Sequence, residues 1–240
     1  MSIKVTFYNE YLEERDWEAA KKVYPEGQQG PIREYLAKNP DIELTVVTME
    51  MPDCGLTDEL LNNTDVLMWW GHGHHGKVPD EVSLRVKKRV LQGMGFIPLH
   101  SSHVSKPFLA LMGTDGRLHW CEDQKEILWT VTPSHPIAKG IPEYIEFEDE
   151  MYGEPFGIPN PDEVIFIGWF NRGNVFRSGV TYRRGNGKIF YFQPGHNTNP
   201  VYYNPYILKI IENAIYWAKP DFKYEPRSDD FFPPDKIIKD

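Results

Sequence analysis

The chain has 240 residues, within the size of one large α/β domain, and 26 Lys and Arg against 35 Asp and Glu give a net charge of −9. Such an acidic chain would repel a phosphate backbone, and no apolar run approaches a bilayer span, so we expect neither nucleic-acid nor membrane partners. The start of the chain lacks the features of a signal peptide, and two cysteines are too few for a disulfide scaffold. Both observations predict a cytoplasmic protein.

The first half alternates strand-like with helix-like segments, which is the pattern of a parallel sheet covered by helices. One helix, predicted over 80–92, carries Val82, Val86 and Val90 four residues apart and ends before Gly93. The predicted strands of this half are 3–8, 43–48, 66–70 and 96–99, and its other predicted helices are 31–39 and 107–112.

The second half changes character, because turn residues separate its strand candidates at short intervals. This spacing predicts an antiparallel extension of the sheet, followed by a last helix over 205–217. The strand candidates are 127–131, 144–147, 164–170, 175–182 and 188–192.

The end of the chain has a composition unlike the rest. Residues 220–240 carry four prolines among charges and two adjacent phenylalanines, which predicts an extended arm beyond a single domain over 1–219. The aromatic arm favours a homo-oligomer.

Histidines cluster just after three of the predicted strands. His72, His74 and His75 lie in a glycine-rich loop, His100 and His103 follow the next strand, and His196 follows the last one, together six of the eight histidines. In open parallel sheets, ligands bind beyond the carboxyl ends of the strands. Clustered imidazoles suit either a metal ion, with zinc as the favoured one, or proton transfer.

The histidines differ as candidate ligands. For each taken alone, a surface or capping role is the favoured interpretation, which the coincidence at three strand ends weakens, and the adjacent His74 and His75 cannot easily point at one ion. His100 and His103 form the better pair. Ser101 between them reads as a nucleophile at a tight turn, but the pattern Gly-x-Ser-x-Gly is absent, so a helix cap or pocket wall is the favoured role.

Other residues extend the candidate pocket. Glu148 and Glu150 would share one face if the strand predicted over 144–147 continues, and one of them would then be a candidate base or metal ligand. A solvated edge is the favoured interpretation for Glu148, whereas the two interpretations are nearly balanced for Glu150. Trp70 offers an indole face for a sugar ring and Arg177 fixed donors for hydroxyl or carboxylate groups, although core packing and plain surface exposure account for such residues too. No phosphate-binding loop is present, so we expect no nucleotide cofactor.

Several strings in one order resemble the ThuA-like trehalose-utilisation family over residues 3–218. They are Leu99-His100-Ser101-Ser102-His103, Leu111-Met112-Gly113-Thr114, His135-Pro136-Ile137, Glu150-Met151-Tyr152-Gly153-Glu154, Phe176-Arg177-Ser178-Gly179 and Tyr191-Phe192-Gln193-Pro194-Gly195-His196.

The resemblance implies a flavodoxin-like, class I glutamine amidotransferase-like three-layer sandwich, with a mainly parallel sheet and an antiparallel extension. It places His100 and Ser101 near the amidotransferase nucleophile, where neither Cys54 nor Cys121 stands, so glutaminase activity is not expected and both cysteines are expected to be inert. The residues that the match points to as a site are His72, His100, His103, Glu150 and His196.

The resemblance also implies a role in the utilisation of trehalose or a related disaccharide, on an oxidised keto-sugar supplied by a partner dehydrogenase. We expect an isomerase, lyase or hydrolase in which His100, His103, Glu150 and His196 act on the substrate. Trp70, Ser101 and Arg177 are the expected substrate contacts, and His72, His100, His103 and His196 the expected ligands of a divalent metal. The alternatives are a non-catalytic sugar-binding or regulatory protein and, third, a hydrolase using Ser101.

Overall fold

A computed structural model describes residues 2–222, which form one nine-stranded sheet with helices on both faces. The strands are β1 (Ile3–Asn9), β2 (Ile42–Thr48), β3 (Val66–Trp70), β4 (Gly95–Leu99), β5 (His119–Thr130), β6 (Tyr144–Gly153), β7 (Glu163–Phe170), β8 (Val175–Arg184) and β9 (Gly187–Phe192). The helices are α1 (Glu13–Asp16), α2 (Glu18–Val23), α3 (Gln29–Leu36), α4 (Asp58–Asn62), α5 (Asp80–Gln92), α6 (Lys106–Met112) and α7 (Pro205–Ala218).

The strand order across the sheet is β2-β1-β3-β4-β9-β8-β7-β5-β6. The first five strands in this order are parallel, and each later pairing is antiparallel. We call these groups the parallel half (β2, β1, β3, β4, β9) and the antiparallel half (β8, β7, β5, β6). The last of the described strands in chain order, β9, therefore occupies the middle of the sheet.

The central strands of the parallel half are buried on both faces. All five residues of β3 and all five of β4 are buried, as expected for short apolar runs inside a sheet covered by helices. Residues of α3 and α7 form one core with the sheet, and residues of α5 and α6 form a second core on its other side. Val82, Val86 and Val90 face this second core, as their spacing predicts.

The antiparallel half is larger than predicted. The interval 127–131 was too short, because β5 begins at His119, and 144–147 was too short, because β6 continues to Gly153. Charged residues inside both strands hide the apolar alternation that marks a strand in sequence. Some of these charges are buried, among them Glu126, Asp149 and Glu150.

Three helices have no counterpart in the predictions: α1, α2 and α4 have four to six residues, too few to show a helical period. Within the described residues, no helix is both long and apolar enough to cross a membrane. The predicted arm over 220–240 falls almost wholly outside the described residues, so the division of the chain at residue 219 stays a prediction.

Candidate metal centre

Four side chains meet at the carboxyl edge of the parallel strands. His72 follows β3, His100 follows β4 and His196 follows β9, whereas Glu150 comes from β6 in the antiparallel half. One nitrogen or oxygen of each lies within 4.8 Å of the corresponding atoms of the other three. His100, His196 and Glu150 are buried, and the side chain of His72 is 22% exposed. The cluster is thus mostly enclosed and reaches solvent at His72.

His100 stands on a sharp turn directly after β4. Its φ of 51° lies in the left-handed region, which is unfavourable for a residue with a side chain by about 1–3 kcal/mol. Its Nδ1 is 2.9 Å from the backbone carbonyl oxygen of Gln193. Because a carbonyl only accepts, Nδ1 carries the hydrogen, and Nε2 offers its lone pair to the cluster.

The loop after β3 is held by two carboxylates that follow β1. Glu10 accepts hydrogen bonds from the backbone N–H groups of His72 at 3.0 Å, Gly73 at 3.1 Å and His74 at 3.0 Å. Glu13 Oε2 lies 2.6 Å from His72 Nδ1. The carboxylate therefore accepts a hydrogen bond from Nδ1, which leaves Nε2 of His72 as the nitrogen that can bind an ion.

The loop after β9 is held in the same way from the antiparallel half. Asp149 accepts hydrogen bonds from the backbone N–H groups of Gly195 at 2.7 Å and His196 at 2.9 Å. His196 Nδ1 lies 2.8 Å from Thr198 Oγ1 and 3.3 Å from the amide oxygen of Asn199. Its Nε2 is buried and has no hydrogen-bond partner among the described residues.

Glu150 faces the histidines with an acceptor of its own. Its Oε2 is 3.1 Å from His100 Nε2, so two lone pairs oppose each other unless a proton or a cation lies between them. Burial raises the pKa of Glu150, and the neighbouring His196 and His72 act in the opposite direction. The carboxylate is thus placed where it gains most from a positive charge.

Burial also decides the charge of the imidazoles. It lowers the pKa of His100 to about 3 and that of His196 to about 4, with neighbouring histidines adding to the shift. For His72 burial acts in the same direction, but the hydrogen bond and charge of Glu13 outweigh it and leave the pKa raised. Two neutral imidazoles and one carboxylate-supported imidazole form a suitable donor set for a divalent metal ion.

Taken together, these residues fit a metal ion. All three Nδ1 atoms are bonded to other residues, which leaves the three Nε2 atoms and the Glu150 carboxylate as the acceptors that the cluster can offer to an ion. Bonds of about 2 Å to one ion would bring such atoms to about 4 Å or less from each other, which requires sub-ångström movement.

His103 does not belong to this group. Its Nδ1 lies 2.7 Å from the backbone carbonyl oxygen of Gly116, and its ring packs edge-on against the rings of Tyr152 and Phe156. The expected pairing of His100 with His103 is therefore replaced by His100 with His72 and His196. The 3-10 turn over His100–Val104 sends the two side chains to different partners.

The predicted substrate contacts already bond within the protein. Trp70 is fully buried and its Nε1 donates to the Gly195 carbonyl at 3.0 Å, and Ser101 Oγ lies 2.9 Å from the hydroxyl of Tyr152. Arg177 makes two bonds to Glu154, at 2.7 and 3.0 Å. Their role as substrate contacts stays a prediction.

Glu148 and the two cysteines lie outside the cluster. Glu148 is exposed and Glu150 is buried, so only Glu150 of this pair reaches the cluster. Cys54 lies in a turn after β2 and Cys121 lies on β5, and neither belongs to the cluster.

Sequence reasoning missed the residues that orient the ligands, chiefly Glu10, Glu13, Asp149 and Gln193. Glu10 and Glu13 directly follow β1, so the rule that sites form at carboxyl ends of parallel strands could have found them. Asp149 was hidden inside a run of acidic residues that resembles a solvated edge.

Comparison with solved structures gives the class of the fold. A ThuA-like protein from Parabacteroides merdae matches with a TM-score of 0.67 at 15% identity, over 95% of this chain and 94% of its own. A cytoplasmic protein from Salmonella typhimurium matches with a TM-score of 0.63 at 15% identity, over 91% of this chain and 100% of its own. A glutamine amidotransferase from Thermotoga maritima matches with a TM-score of 0.51 at 9% identity, over 80% of this chain and 75% of its own. The protein is thus of the class I glutamine amidotransferase-like, flavodoxin-like fold, as predicted.

The family follows from sequence. The family model ThuA, described as trehalose utilisation, matches residues 4–218. The chain belongs to this family, which supports a role in sugar utilisation. No protein of curated function is significantly similar to it in sequence.

Proposed function

We propose that the protein is an enzyme of disaccharide utilisation that acts on a sugar or keto-sugar at a divalent metal ion, with zinc favoured. The ligands are Nε2 of His72, His100 and His196 and the carboxylate of Glu150. The proposal goes beyond the family assignment, which supports sugar utilisation alone.

One observation carries the proposal: three imidazoles have their Nδ1 atoms bonded to other residues, and one nitrogen of each lies within 4.8 Å of the others and of a carboxylate oxygen of Glu150. A cluster rich in acceptors is unfavourable on its own: His196 Nε2 is buried with no hydrogen-bond partner among the described residues, and His100 Nε2 has only the Tyr152 hydroxyl at 3.4 Å as a donor. Outward bonds from Nδ1 to a carboxylate or a carbonyl are how proteins orient histidine ligands of metals. A core histidine without a ligand has no need of such an arrangement.

A bound divalent metal supplies a Lewis acid that polarises a carbonyl or a water molecule. The residues of the chain do the rest. Glu13 and His72, each about one fifth exposed, form the solvent side of the cluster and the place where a sugar would enter. The hydroxyl of Tyr152, 3.4 Å from His100 Nε2, is a proton donor within the enclosed side. These parts serve isomerisation, elimination and hydrolysis alike.

Glutaminase chemistry is not part of the proposal. The turn after β4, which the resemblance places at the amidotransferase nucleophile, carries His100 and Ser101 and no cysteine. Ser101 as a nucleophile would need a base at its hydroxyl, and this hydroxyl bonds to Tyr152 at 2.9 Å.

We also propose a cytoplasmic homo-oligomer that works with a sugar dehydrogenase supplying the oxidised substrate. The cytoplasmic placement is supported by the described fold neighbour from Salmonella typhimurium. Self-association is supported by exposed aromatic side chains on one face of the antiparallel half, among them Trp129, Tyr144 and Trp169. Sedimentation of the purified chain tests this part, and a monomer at all concentrations would contradict it.

The metal is tested by elemental analysis of protein purified without chelators. We expect near-stoichiometric zinc in the wild type, loss of the metal in His196→Gln, and retention in the matched control His103→Gln, whose ring is buried outside the cluster. A wild type free of any divalent metal, or equal loss in both variants, would overturn the metal site.

Catalysis is tested on disaccharides and their keto forms with the loaded protein. We expect turnover in the wild type and binding without turnover in Glu150→Gln. Binding with no turnover in the wild type would reject the enzyme and leave the alternative of a sugar-binding or regulatory protein.

A further inference from the structure

A row of buried polar side chains runs behind the cluster into the antiparallel half. It begins at Glu126 on β5, which is fully buried beside its register neighbours Phe147 and Phe170. Its Oε1 lies 3.2 Å from Ser178 Oγ, and its Oε2 has no hydrogen-bond partner among the described residues. A buried carboxyl group with so few partners calls for a physical explanation.

From Ser178 the row continues to the metal ligands. Ser178 Oγ lies 3.0 Å from Gln193 Oε1, and Gln193 Nε2 donates to the backbone carbonyl of Glu150 at 3.1 Å and toward Asp149 Oδ2 at 3.5 Å. The backbone carbonyl of the same Gln193 accepts the hydrogen of His100 Nδ1 at 2.9 Å. Gln193 thus contacts two of the four candidate ligands.

Counting hydrogens decides the direction of the bonds. Gln193 Nε2 must face Glu150 and Asp149, because turning the amide over would set its oxygen against a carbonyl and a carboxylate. Its Oε1 therefore needs a donor, and the single hydrogen of Ser178 is the one beside it. Once that hydrogen is used, Glu126 Oε1 can bond to Ser178 Oγ only by donating.

We propose that Glu126 is a neutral carboxylic acid that donates a hydrogen bond to Ser178. The chain of hydrogen bonds that runs from Glu126 through Ser178 to Gln193 then positions Glu150 and His100. Glu126 touches neither the cluster nor a substrate, so it acts through the other residues of the chain. Its positioning role rests on the proposed metal site, whereas its neutral state does not.

Two further observations support the proposal. Gly168 leaves the space for the contact, since a Cβ there would lie 2.4 Å from Glu126 Oε1 and 2.5 Å from Ser178 Oγ. Burial, with the nearby Asp149 adding to it, also raises the pKa of Glu126 well above the ordinary value. A neutral acid avoids placing an unpaired charge in the core.

The neutral state is tested by infrared difference spectroscopy of the full chain at neutral pH. The wild type should show one carbonyl band of a protonated carboxylic acid that the spectrum of Glu126→Gln lacks. The control Glu154→Gln, whose carboxylate is bonded to Arg177, should change carboxylate bands alone. Absence of a protonated-acid band from the Glu126→Gln difference would overturn the proposal.

The positioning role is tested by titration with cobalt(II). Glu126→Gln keeps a donor of similar shape and should bind within about twofold of the wild type, whereas Glu126→Leu and Ser178→Ala should bind about 10-fold or more weakly. Equal binding by Glu126→Leu and the wild type, or equal weakening in Glu126→Gln and Glu126→Leu, would overturn it.

If the wild type binds no cobalt, the proposed function itself is contradicted. The positioning role is then tested by the tautomer of His100, that is, by which of its ring nitrogens carries the hydrogen. Nitrogen-15 spectra of labelled histidine should show hydrogen on Nδ1 in the wild type and Glu126→Gln, and a mixture in Glu126→Leu. An unchanged tautomer in Glu126→Leu would overturn the positioning role.

Discussion

The two halves of the sheet contribute to the candidate site in different ways. The parallel half provides three histidines on loops at its carboxyl edge, in the place where open sheets bind ligands. The antiparallel half provides Glu150 and, in Asp149, the buried carboxylate that holds the loop of His196. These carboxyl groups of the antiparallel half lie within strands, at buried positions that apolar side chains usually occupy.

This comparison shows that the histidine loops obtain their support from different parts of the sheet. The loop of His196 is held by Asp149 of the antiparallel half, whereas the loop of His72 is held by carboxylates that follow β1. A loop after a parallel strand displays a side chain with little constraint, so it needs a support to fix the direction of that side chain. The antiparallel strands provide fixed backbones from which Asp149 reaches the loop of His196. Each half is thus incomplete as a site without the other.

The contribution of the antiparallel half is tested most strongly at its one candidate ligand. Glu150→Gln removes the carboxylate charge that faces three imidazoles, and we expect zinc affinity to fall by more than about 100-fold. Glu148→Gln, at an exposed position on the same strand, should leave the affinity unchanged. Competition with a chromophoric chelator measures both, and a similar affinity for the two variants would place the metal wholly in the parallel half.

The support from the antiparallel half is tested at Asp149. Asp149→Asn replaces an oxygen that accepts backbone hydrogens with an amide, and we expect zinc affinity about 10- to 100-fold lower and stability lower by about 1–3 kcal/mol. Chelator competition and urea unfolding give the two values. Unchanged affinity would show that the loop of His196 holds its own shape.

The parallel half has a support of its own in Glu13, which provides a comparison with Asp149. Glu13→Gln keeps an oxygen for His72 Nδ1 but removes its charge, so we expect about 10-fold weaker zinc binding and little change in stability. Glu18→Gln, exposed on the next helix, is the matched control. A loss as large as that of Glu150→Gln would assign Glu13 a direct role at the metal.

The smallest effect is expected on the outer face of the antiparallel half. Trp169 is 39% exposed, and Trp169→Thr should lower the free energy of unfolding by about 1 kcal/mol or less. Phe166→Ala on the buried face of the same strand should lower it by about 3–5 kcal/mol. Urea unfolding checks both, and a large effect of Trp169→Thr that depends on protein concentration would point to an interface between copies.

The parallel half was readable from sequence because its signals are local. The prediction of β3 over 66–70 and of α5 over 80–92 matches the structure residue for residue, since a short apolar run and a four-residue period each mark one element. The histidine loops could be located for the same reason, as they directly follow apolar strands.

Other features could not be read in this way. Asp149 is buried because backbone groups of Gly195 and His196, far away in sequence, meet it in the fold, and no local pattern carries that information. Likewise, spacing alone favoured His100 and His103 as a pair. The direction of an imidazole depends on the group that binds its other nitrogen, which is Gly116 for His103 and Glu13 for His72.

The central place of β9 in the sheet has a consequence for folding. Among the strands of residues 2–222 it is the last to be synthesised, yet it is inserted between β4 and β8, and His196 lies in the loop that follows it. Long-range pairings of this kind form late, because the chain must close large loops before they stabilise anything. The four ligands therefore meet only when the sheet is complete, so a bound metal would stabilise the finished fold and not its partly assembled precursors.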